Sequence, residues 1–142
     1  MLDKERILAK VDELESYLKE LSEVKPRTYG EYENSIQKKR SCERLLQISI
    51  ECVIDVCALI GRGLSIGLPP DEDDLLDRLG KKKIFSRNIV RKLKQMKSFR
   101  NILVHRYGTI DDELVFKVLM EQVGDFEEFK RQVTSNLNNK RR

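Results

Sequence analysis

Three observations predict an all-α protein, organised as an up-and-down bundle of about five helices with a long second helix. Apolar residues recur at spacings of three and four, and no segment alternates apolar and polar residues as a half-buried strand does. Capping residues precede these stretches, whereas glycine and proline follow them. At 142 residues we expect a single helical domain over residues 1–135, followed by a basic, frayed tail at residues 136–142.

Two helices are predicted in the N-terminal half. The first runs from about Leu2 to Ser22 and is followed by Pro26. Its apolar stripe consists of Ile7, Val11, Leu14, Leu18 and Leu21. Thr28 and Glu31 have the spacing of a capping box, which predicts a second helix from Glu31 to Ile60. Because the later part of this helix is apolar on most sides, it either lies at the centre of the bundle or contributes to a subunit interface.

Three more helices are predicted in the C-terminal half, after a loop rich in glycine and proline at residues 61–70. The first of them is short and acidic, and the second is rich in lysine and arginine. Their predicted limits are Asp71–Leu79 before Gly80, Ser86–Tyr107 before Gly108, and Thr109 or Asp111 to Val133.

Composition and cysteine usage exclude several classes of protein. Charged residues make up 37% of the chain and the longest aliphatic stretch is Val56–Ile60, so we expect no membrane span and a cytoplasmic location. Cys42, Cys52 and Cys57 lack metal-ligand spacing and are expected to be small core residues. With one histidine and no nucleotide-binding or serine-hydrolase motif, the sequence predicts neither a metal site nor a cofactor.

Positive charge is concentrated in one segment. Ten basic residues and no acidic residue occur between Lys81 and Ile110, although the net charge of the whole chain is only +4. A field of this kind attracts polyanions and favours binding of the nucleic-acid backbone. The alternative is a solvated basic face that is balanced by the acidic helix at 71–77 or by an acidic partner.

The only histidine, His105, lies near the end of the basic helix between two groups that bind phosphate, Arg100 and Tyr107. This setting favours acid–base chemistry on a phosphodiester. On an ideal helix His105 lies about 140° from Arg100, whereas Tyr107 lies close to the direction of Arg100. Either the helix loosens before Gly108, or the site combines two copies of the motif. A mechanism with two imidazoles also requires two chains, so we expect a homodimer.

The motif Arg100-x4-His105-x-Tyr107 resembles the Arg-x4-His-x-Tyr signature of the HepT toxins of the HEPN superfamily, which pair with minimal nucleotidyltransferase antitoxins. The resemblance covers most of the chain, because the long second helix and the short helix after Pro69-Pro70 occupy corresponding positions. It implies a HEPN-like fold and a metal-independent endoribonuclease that acts on RNA, with tRNA among the candidate substrates, at a homodimer cleft.

The resemblance also implies roles for single residues. Arg100 would bind the scissile phosphate, His105 would transfer protons, and Tyr107 would be the tyrosine that the cognate nucleotidyltransferase modifies with AMP. On helical phase alone, an interior or interface position of Tyr107 is the alternative to a modification site. Asn101 could orient the substrate or His105, or it could be a helix-surface amide with no special role. The expected contacts to RNA are Asn101, Lys94, Lys97 and Arg106.

Other interpretations remain open at this point. Glu43 and Asp55 interrupt the apolar second helix, where they could line the cleft or pair with Arg100. The chain could be a non-catalytic HEPN-like module that binds a nucleotidyltransferase or a nucleotide. It could also be a helical adaptor whose basic face binds an acidic protein.

Overall fold

The structure, a computed structural model, describes residues 1–106 and 108–138. Within these ranges every regular element is an α-helix, which confirms the predicted all-α class. The described residues form seven helices where about five were expected: α1 Lys4–Val24, α2 Tyr29–Glu33, α3 Ile36–Gly63, α4 Glu72–Lys81, α5 Arg87–His105, α6 Asp112–Glu121 and α7 Gly124–Leu137. None of these helices is long and apolar enough to cross a membrane.

The predicted second helix is interrupted at Asn34 and Ser35, which accounts for one of the additional helices. Thr28 caps α2 by accepting a hydrogen bond from the Glu31 amide at 3.1 Å, as its spacing predicted. Ser35 has an extended backbone, with φ −125° and ψ 106°, and its hydroxyl accepts a hydrogen bond from the Lys38 amide. A capping serine with extended dihedrals begins a new helix. The apolar pattern therefore continues across the break, whereas the helical conformation of the backbone does not.

The predicted fifth helix is also divided, at Gln122 and Val123. Asp111, rather than Thr109, is its N-cap and accepts a hydrogen bond from the Glu113 amide at 2.9 Å. Gln122 ends α6 with φ −118°, and α7 begins two residues later. The turn allows the apolar stripes of both helices to reach the core; their buried side chains include Val115, Leu119, Phe126, Phe129 and Val133.

Helix α3 lies at the centre of the bundle, which is one of the two positions that its apolar sequence allowed. Helix α1 packs along it, and α2, α4 and α5 also contact it. Its buried residues are Cys42, Leu46, Ser49, Ile50, Cys52, Val53, Ile54, Val56, Cys57, Leu59, Ile60 and Gly61. Burial of each large aliphatic side chain contributes about 1.5–3 kcal/mol, so this helix supplies much of the hydrophobic stabilisation.

The cysteines Cys42, Cys52 and Cys57 are all buried in α3 and form no disulfide, as expected for small core residues. Burial raises the pKa of Cys42 to about 11 and that of Cys52 to about 11, and it also raises the pKa of Cys57. These thiols are therefore protonated at neutral pH and pack as apolar groups.

A tight turn joins α4 to α5 and brings the two helices close together. The predicted end at Leu79, before Gly80, is two residues early, because α4 continues to Lys81 and the left-handed position falls on Lys83, with φ 61°. The Lys83 amide bonds to the Gly80 carbonyl at 2.9 Å, as in left-handed helix caps. A Cβ on Gly80 would lie 3.0 Å from Val90 Cγ2. The missing side chain therefore permits the close approach of α4 to α5.

Helix α7 continues to Leu137, past the predicted domain limit at residue 135. Asn136 is buried, and its Nδ2 donates to the carbonyls of Ile84 and Gln132, both at 2.8 Å. The prediction of a frayed tail over residues 136–142 is therefore wrong for Asn136 and Leu137, since these residues are helical and one of them is fixed by hydrogen bonds. Residues 139–142 lie outside the described residues.

Candidate active site

Helix α5 carries the predicted functional residues from Lys94 to His105. The Ser86 hydroxyl caps the helix, as predicted, by accepting a hydrogen bond from the Ile89 amide at 3.2 Å. One side of α5 is buried in the core through Ile89, Leu93, Met96, Phe99 and Leu103. Arg106 is the C-cap residue, and Tyr107, the predicted modification site, lies outside the described residues.

Arg100 is held at two points of its guanidinium group. Its side chain is only 15% exposed, and Nη2 lies 2.5 Å from Oε1 of Glu72 on α4. Its Nε donates to Oδ1 of Asn101 at 3.0 Å. Because a guanidinium carries five N–H groups, three donors remain for another acceptor. The Asn101 oxygen therefore contacts Arg100, and a role of Asn101 towards the substrate stays a prediction.

His105 is exposed and is the last residue of α5. The helix remains regular up to this point, because the Arg106 amide bonds to the Ile102 carbonyl at 3.0 Å. His105 therefore stays on a different side of α5 from Arg100, at about 140° on a regular helix. The predicted alternative in which the helix loosens and His105 turns towards Arg100 is wrong for the described residues. The other alternative, a site that combines two copies of the motif, stays a prediction.

The acidic helix α4 neutralises one side of the basic helix α5. Lys97 pairs with Asp73 at 3.1 Å and Lys94 pairs with Asp77 at 2.7 Å, in an antiparallel ladder that ends at Arg100. The hydrogen bond to Asp77 raises the pKa of Lys94. Two predicted RNA contacts are thus ion-paired within the chain. For this side of the helix, the structure agrees with the interpretation in which acidic residues at 71–77 balance the basic face.

The other basic residues between Lys81 and Ile110 are either ion-paired or exposed. Lys92 pairs with Asp125 of α7 at 2.9 Å. In the part of the chain that the structure describes, the exposed basic residues without an ion pair in this segment are Lys81, Lys82, Lys83, Arg87, Arg91 and Arg106. The free positive charge therefore lies mainly at the N-terminal half of α5 and the turn before it.

Glu43 and Asp55 of the long helix α3 form ion pairs with residues other than Arg100. Glu43 pairs with Arg40 at 3.0 Å, and Asp55 pairs with Lys10 at 3.3 Å. The interpretation in which one of these residues pairs with Arg100 is wrong. The partner is Glu72, which sequence patterns did not single out because the pairing depends on how α4 packs on α5.

Among residues 1–106 and 108–138, no group of three or more histidine, cysteine, aspartate or glutamate side chains is arranged to hold a metal ion. His105 is exposed at the end of α5, whereas all three cysteines are buried in α3. The described chemistry at α5 therefore consists of guanidinium, imidazole, amide and carboxylate groups.

Comparison with known families identifies the fold and the family. The family model described as Ribonuclease HepT-like matches residues 7–133, which include nearly all of the helical bundle. The chain belongs to this family.

Two proteins that are similar in sequence to the HepT-like chain carry the name HepT. The tRNA nuclease HepT of Aphanizomenon flos-aquae is 27% identical over 121 residues, which cover 85% of this chain and 82% of that protein. The mRNA nuclease HepT of Shewanella oneidensis is 31% identical over 84 residues, or 59% of this chain and 63% of that protein.

Solved structures share the fold of the HepT-like chain. A tri-AMPylated HEPN toxin of Shewanella oneidensis in complex with an MNT antitoxin superposes with a TM-score of 0.85 at 24% identity, over 95% of this chain and 99% of that chain. The protein of unknown function YutE from Bacillus subtilis gives a TM-score of 0.80 at 20% identity, over 96% and 91% of the two chains. At these identities the likeness establishes the HEPN fold, as the resemblance predicted.

Proposed function

We propose that this HepT-like chain is the toxin of a toxin–antitoxin pair, a metal-independent endoribonuclease that uses Arg100 and His105 in a homodimer cleft. The observation that carries the proposal is the arrangement on α5, where Arg100 is oriented by Glu72 and Asn101 while His105 is exposed at the end of the same helix. The proposal is supported by two relatives that are named as HepT nucleases of tRNA and of mRNA.

The chemistry needs no metal ion or water in the cleavage step. The ribose 2′-oxygen attacks the adjacent phosphorus, the bond from phosphorus to the 5′-oxygen breaks, and the products are a 2′,3′-cyclic phosphate and a 5′-hydroxyl. Arg100 stabilises the negative charge that grows on the phosphoryl oxygens. Imidazole takes the proton of the 2′-hydroxyl or gives one to the leaving 5′-oxygen.

The proposed homodimer is supported by the geometry of one chain. Arg100 and His105 lie on different sides of α5, so a single regular helix does not direct both groups at one phosphate. A second copy, related by a two-fold axis, can place its motif opposite the first. Two imidazoles are then available, one for each proton transfer.

Modification of Tyr107 is the proposed means of silencing the toxin. A cognate minimal nucleotidyltransferase, the antitoxin, would join the tyrosine oxygen to the α-phosphorus of ATP and release pyrophosphate. The added nucleotide is bulky and anionic, so it would repel RNA beside His105. This part of the proposal is supported by the motif and by the solved toxin, which is tri-AMPylated and bound to an MNT antitoxin.

The activity is tested by incubating tRNA, mRNA and rRNA with the wild-type protein, with His105→Ala, and with Lys19→Ala as a control for loss of an exposed side chain. We expect cleavage by the wild type and by Lys19→Ala, and a loss of about 10²–10⁴-fold in His105→Ala. Equal cleavage by all three proteins would show that the nuclease activity does not involve His105.

The silencing step is tested by intact-mass and peptide analysis after incubation with the cognate nucleotidyltransferase and ATP. We expect one or more AMP groups on the peptide that contains Tyr107, with loss of RNA cleavage, and no modification of that peptide in Tyr107→Phe. Modification elsewhere, with Tyr107 untouched, would contradict the proposed site.

The rival function is a non-catalytic helical module that binds a nucleotidyltransferase. It is favoured by one observation, the neutralisation of Lys94, Lys97 and Arg100 by α4. A protein that binds the antitoxin but leaves every RNA intact in its unmodified form would favour this function over the nuclease.

A further inference from the structure

A groove of about 640 Å³ runs between α5 and α6, and it meets the ladder with α4 at Lys94, which lines the groove and pairs with Asp77. Three cations of α5 line it, namely Arg87, Arg91 and Lys94. Apolar side chains from both helices also line it, among them Phe99, Leu114 and Val118. In the described part of the chain no acidic side chain lines this groove. Its volume is typical of ligand-binding clefts.

The groove shares a helical face with His105. Arg87 and His105 are the first and last residues of the 19-residue α5, so they are five turns apart and point in the same direction. Arg91, Ser98 and Ile102 fall within about 60° of this direction and also line the groove. The groove is therefore aligned with His105 along an axial length of about 27 Å.

Two of the three cations in the groove are available to a ligand. Arg87 and Arg91 are exposed and form no ion pair among the described residues, and Arg91 has one hydrogen bond, to Asn88. Lys94 is shared with Asp77. Lys81, Lys82 and Lys83 extend the free positive charge beyond the start of α5.

We propose that the groove between α5 and α6 binds the single-stranded RNA segment next to the cleaved bond, with backbone phosphates on Arg87 and Arg91. The inference rests on the proposed ribonuclease function and extends it from the reacting groups to the path of the substrate. A single strand of nucleic acid carries regularly spaced phosphates and bases with flat, apolar faces. A groove with cations beside apolar side chains can bind both parts at once. In this arrangement the bound RNA strand runs along one face of α5 towards His105.

A second copy of the chain fits the groove less well. A two-fold contact brings the same patch of each copy together. The contact would then bring together two patches that each carry Arg87 and Arg91, with no carboxylate among the described lining residues, and like charges brought together in an interface are unfavourable. The groove is consequently assigned to a polyanion rather than to the dimer contact.

The test compares the wild type, the double variant Arg87→Ala/Arg91→Ala and the matched control Lys19→Ala/Lys25→Ala, which removes two exposed cations from α1 and its end. Binding is measured by fluorescence anisotropy over a salt series with a single-stranded 2′-O-methyl oligoribonucleotide, which cannot be cleaved because the nucleophile is blocked. Cleavage of unmodified RNA is measured in parallel to separate kcat from KM, and the oligomeric state is measured by light scattering.

We expect the double variant to bind at least about tenfold more weakly and to lose about 1.4 from the slope of log K against log salt, since each phosphate contact to a single strand contributes about 0.7. KM should rise while kcat at saturating RNA stays the same. The control variant should match the wild type in slope, affinity and KM.

Three results would overturn the inference. The first is a salt slope equal to that of the control, and the second is a fall in kcat at unchanged KM. The third is loss of the dimer together with RNA binding, which would assign the groove to a second copy.

These failures differ from failure of the proposed function. If the wild type cleaves RNA but the double variant behaves as the control does, only the groove is wrong. If the wild type binds the probe with the expected slope but cleaves nothing, the groove stands and the nuclease does not.

Discussion

Removal of the Glu72 carboxylate should destabilise the protein through Arg100. The Arg100 side chain is 15% exposed and the Glu72 side chain is 38% exposed. Exposed ion pairs contribute about 0.2–1 kcal/mol, whereas loss of one partner from a buried pair costs about 3–5 kcal/mol. Water screens the glutamate but reaches little of the arginine, so we expect a coupling free energy of about 1–2 kcal/mol between the two residues.

The coupling is measured by a double-mutant cycle of urea unfolding, with Glu72→Ala, Arg100→Ala and the double variant. The neighbouring rung of the ladder provides a matched control, because Lys94 and Asp77 are 36% and 48% exposed. We expect about 0.5 kcal/mol or less for that pair. All variants are compared at one protein concentration, since dimerisation would link stability to concentration.

Salt adds a second criterion to the same cycle. Screening weakens interactions between exposed charges more than those between partly buried ones. The coupling of Glu72 to Arg100 should therefore persist in high salt, while that of the control pair should fall towards zero. Equal coupling in the two pairs, or equal loss with salt, would refute the conclusion that α4 fixes the Arg100 guanidinium.

Three further predictions concern the packing of the bundle. Ser35→Ala should lower the free energy of unfolding by about 1 kcal/mol because α3 loses its N-cap, and urea unfolding should show a smaller change for the exposed Ser22→Ala; equal effects would contradict the capping role. Asn136→Ala should cost about 1–3 kcal/mol because two carbonyls lose a donor, and an unchanged unfolding midpoint would contradict the buried contact. Since burial raises the pKa of Cys42 and Cys52 to about 11, a thiol reagent at neutral pH should label them only after unfolding, and rapid labelling of the folded protein would contradict their burial.

Most of the fold could be predicted because helical periodicity records which side of each helix faces the core. Thr28 and Ser86 were predicted as N-caps from their residue types, and Asp111 was one of two candidates for the start of its helix. The break at Ser35 was missed because the apolar pattern continues across it, and only the backbone dihedrals separate a capping serine from one inside a helix. The break before Gly124 was missed for the same reason.

The site could be predicted in part. The motif located Arg100 and His105 on one helix, and helical phase alone placed them on different sides of it. Glu72 could not be identified, because its pairing depends on the antiparallel packing of α4 against α5, which charge patterns along the sequence do not encode. As an alternative to polyanion binding, the sequence allowed an acidic helix that balances the basic one, and the structure agrees with this alternative only on the side of α5 that faces α4.

The central claim is that Arg100 and His105 cleave RNA without a metal ion, and the chemistry of the new RNA ends tests it most directly. The wild type and the Arg100→Ala and His105→Ala variants are incubated with RNA in EDTA, and the termini are analysed. The account predicts 2′,3′-cyclic phosphate and 5′-hydroxyl ends from the wild type, and a loss of at least about 10²-fold in both variants, which should remain folded and dimeric. Ends with 5′-phosphate and 3′-hydroxyl groups, or complete inhibition of the wild type by EDTA, would contradict it.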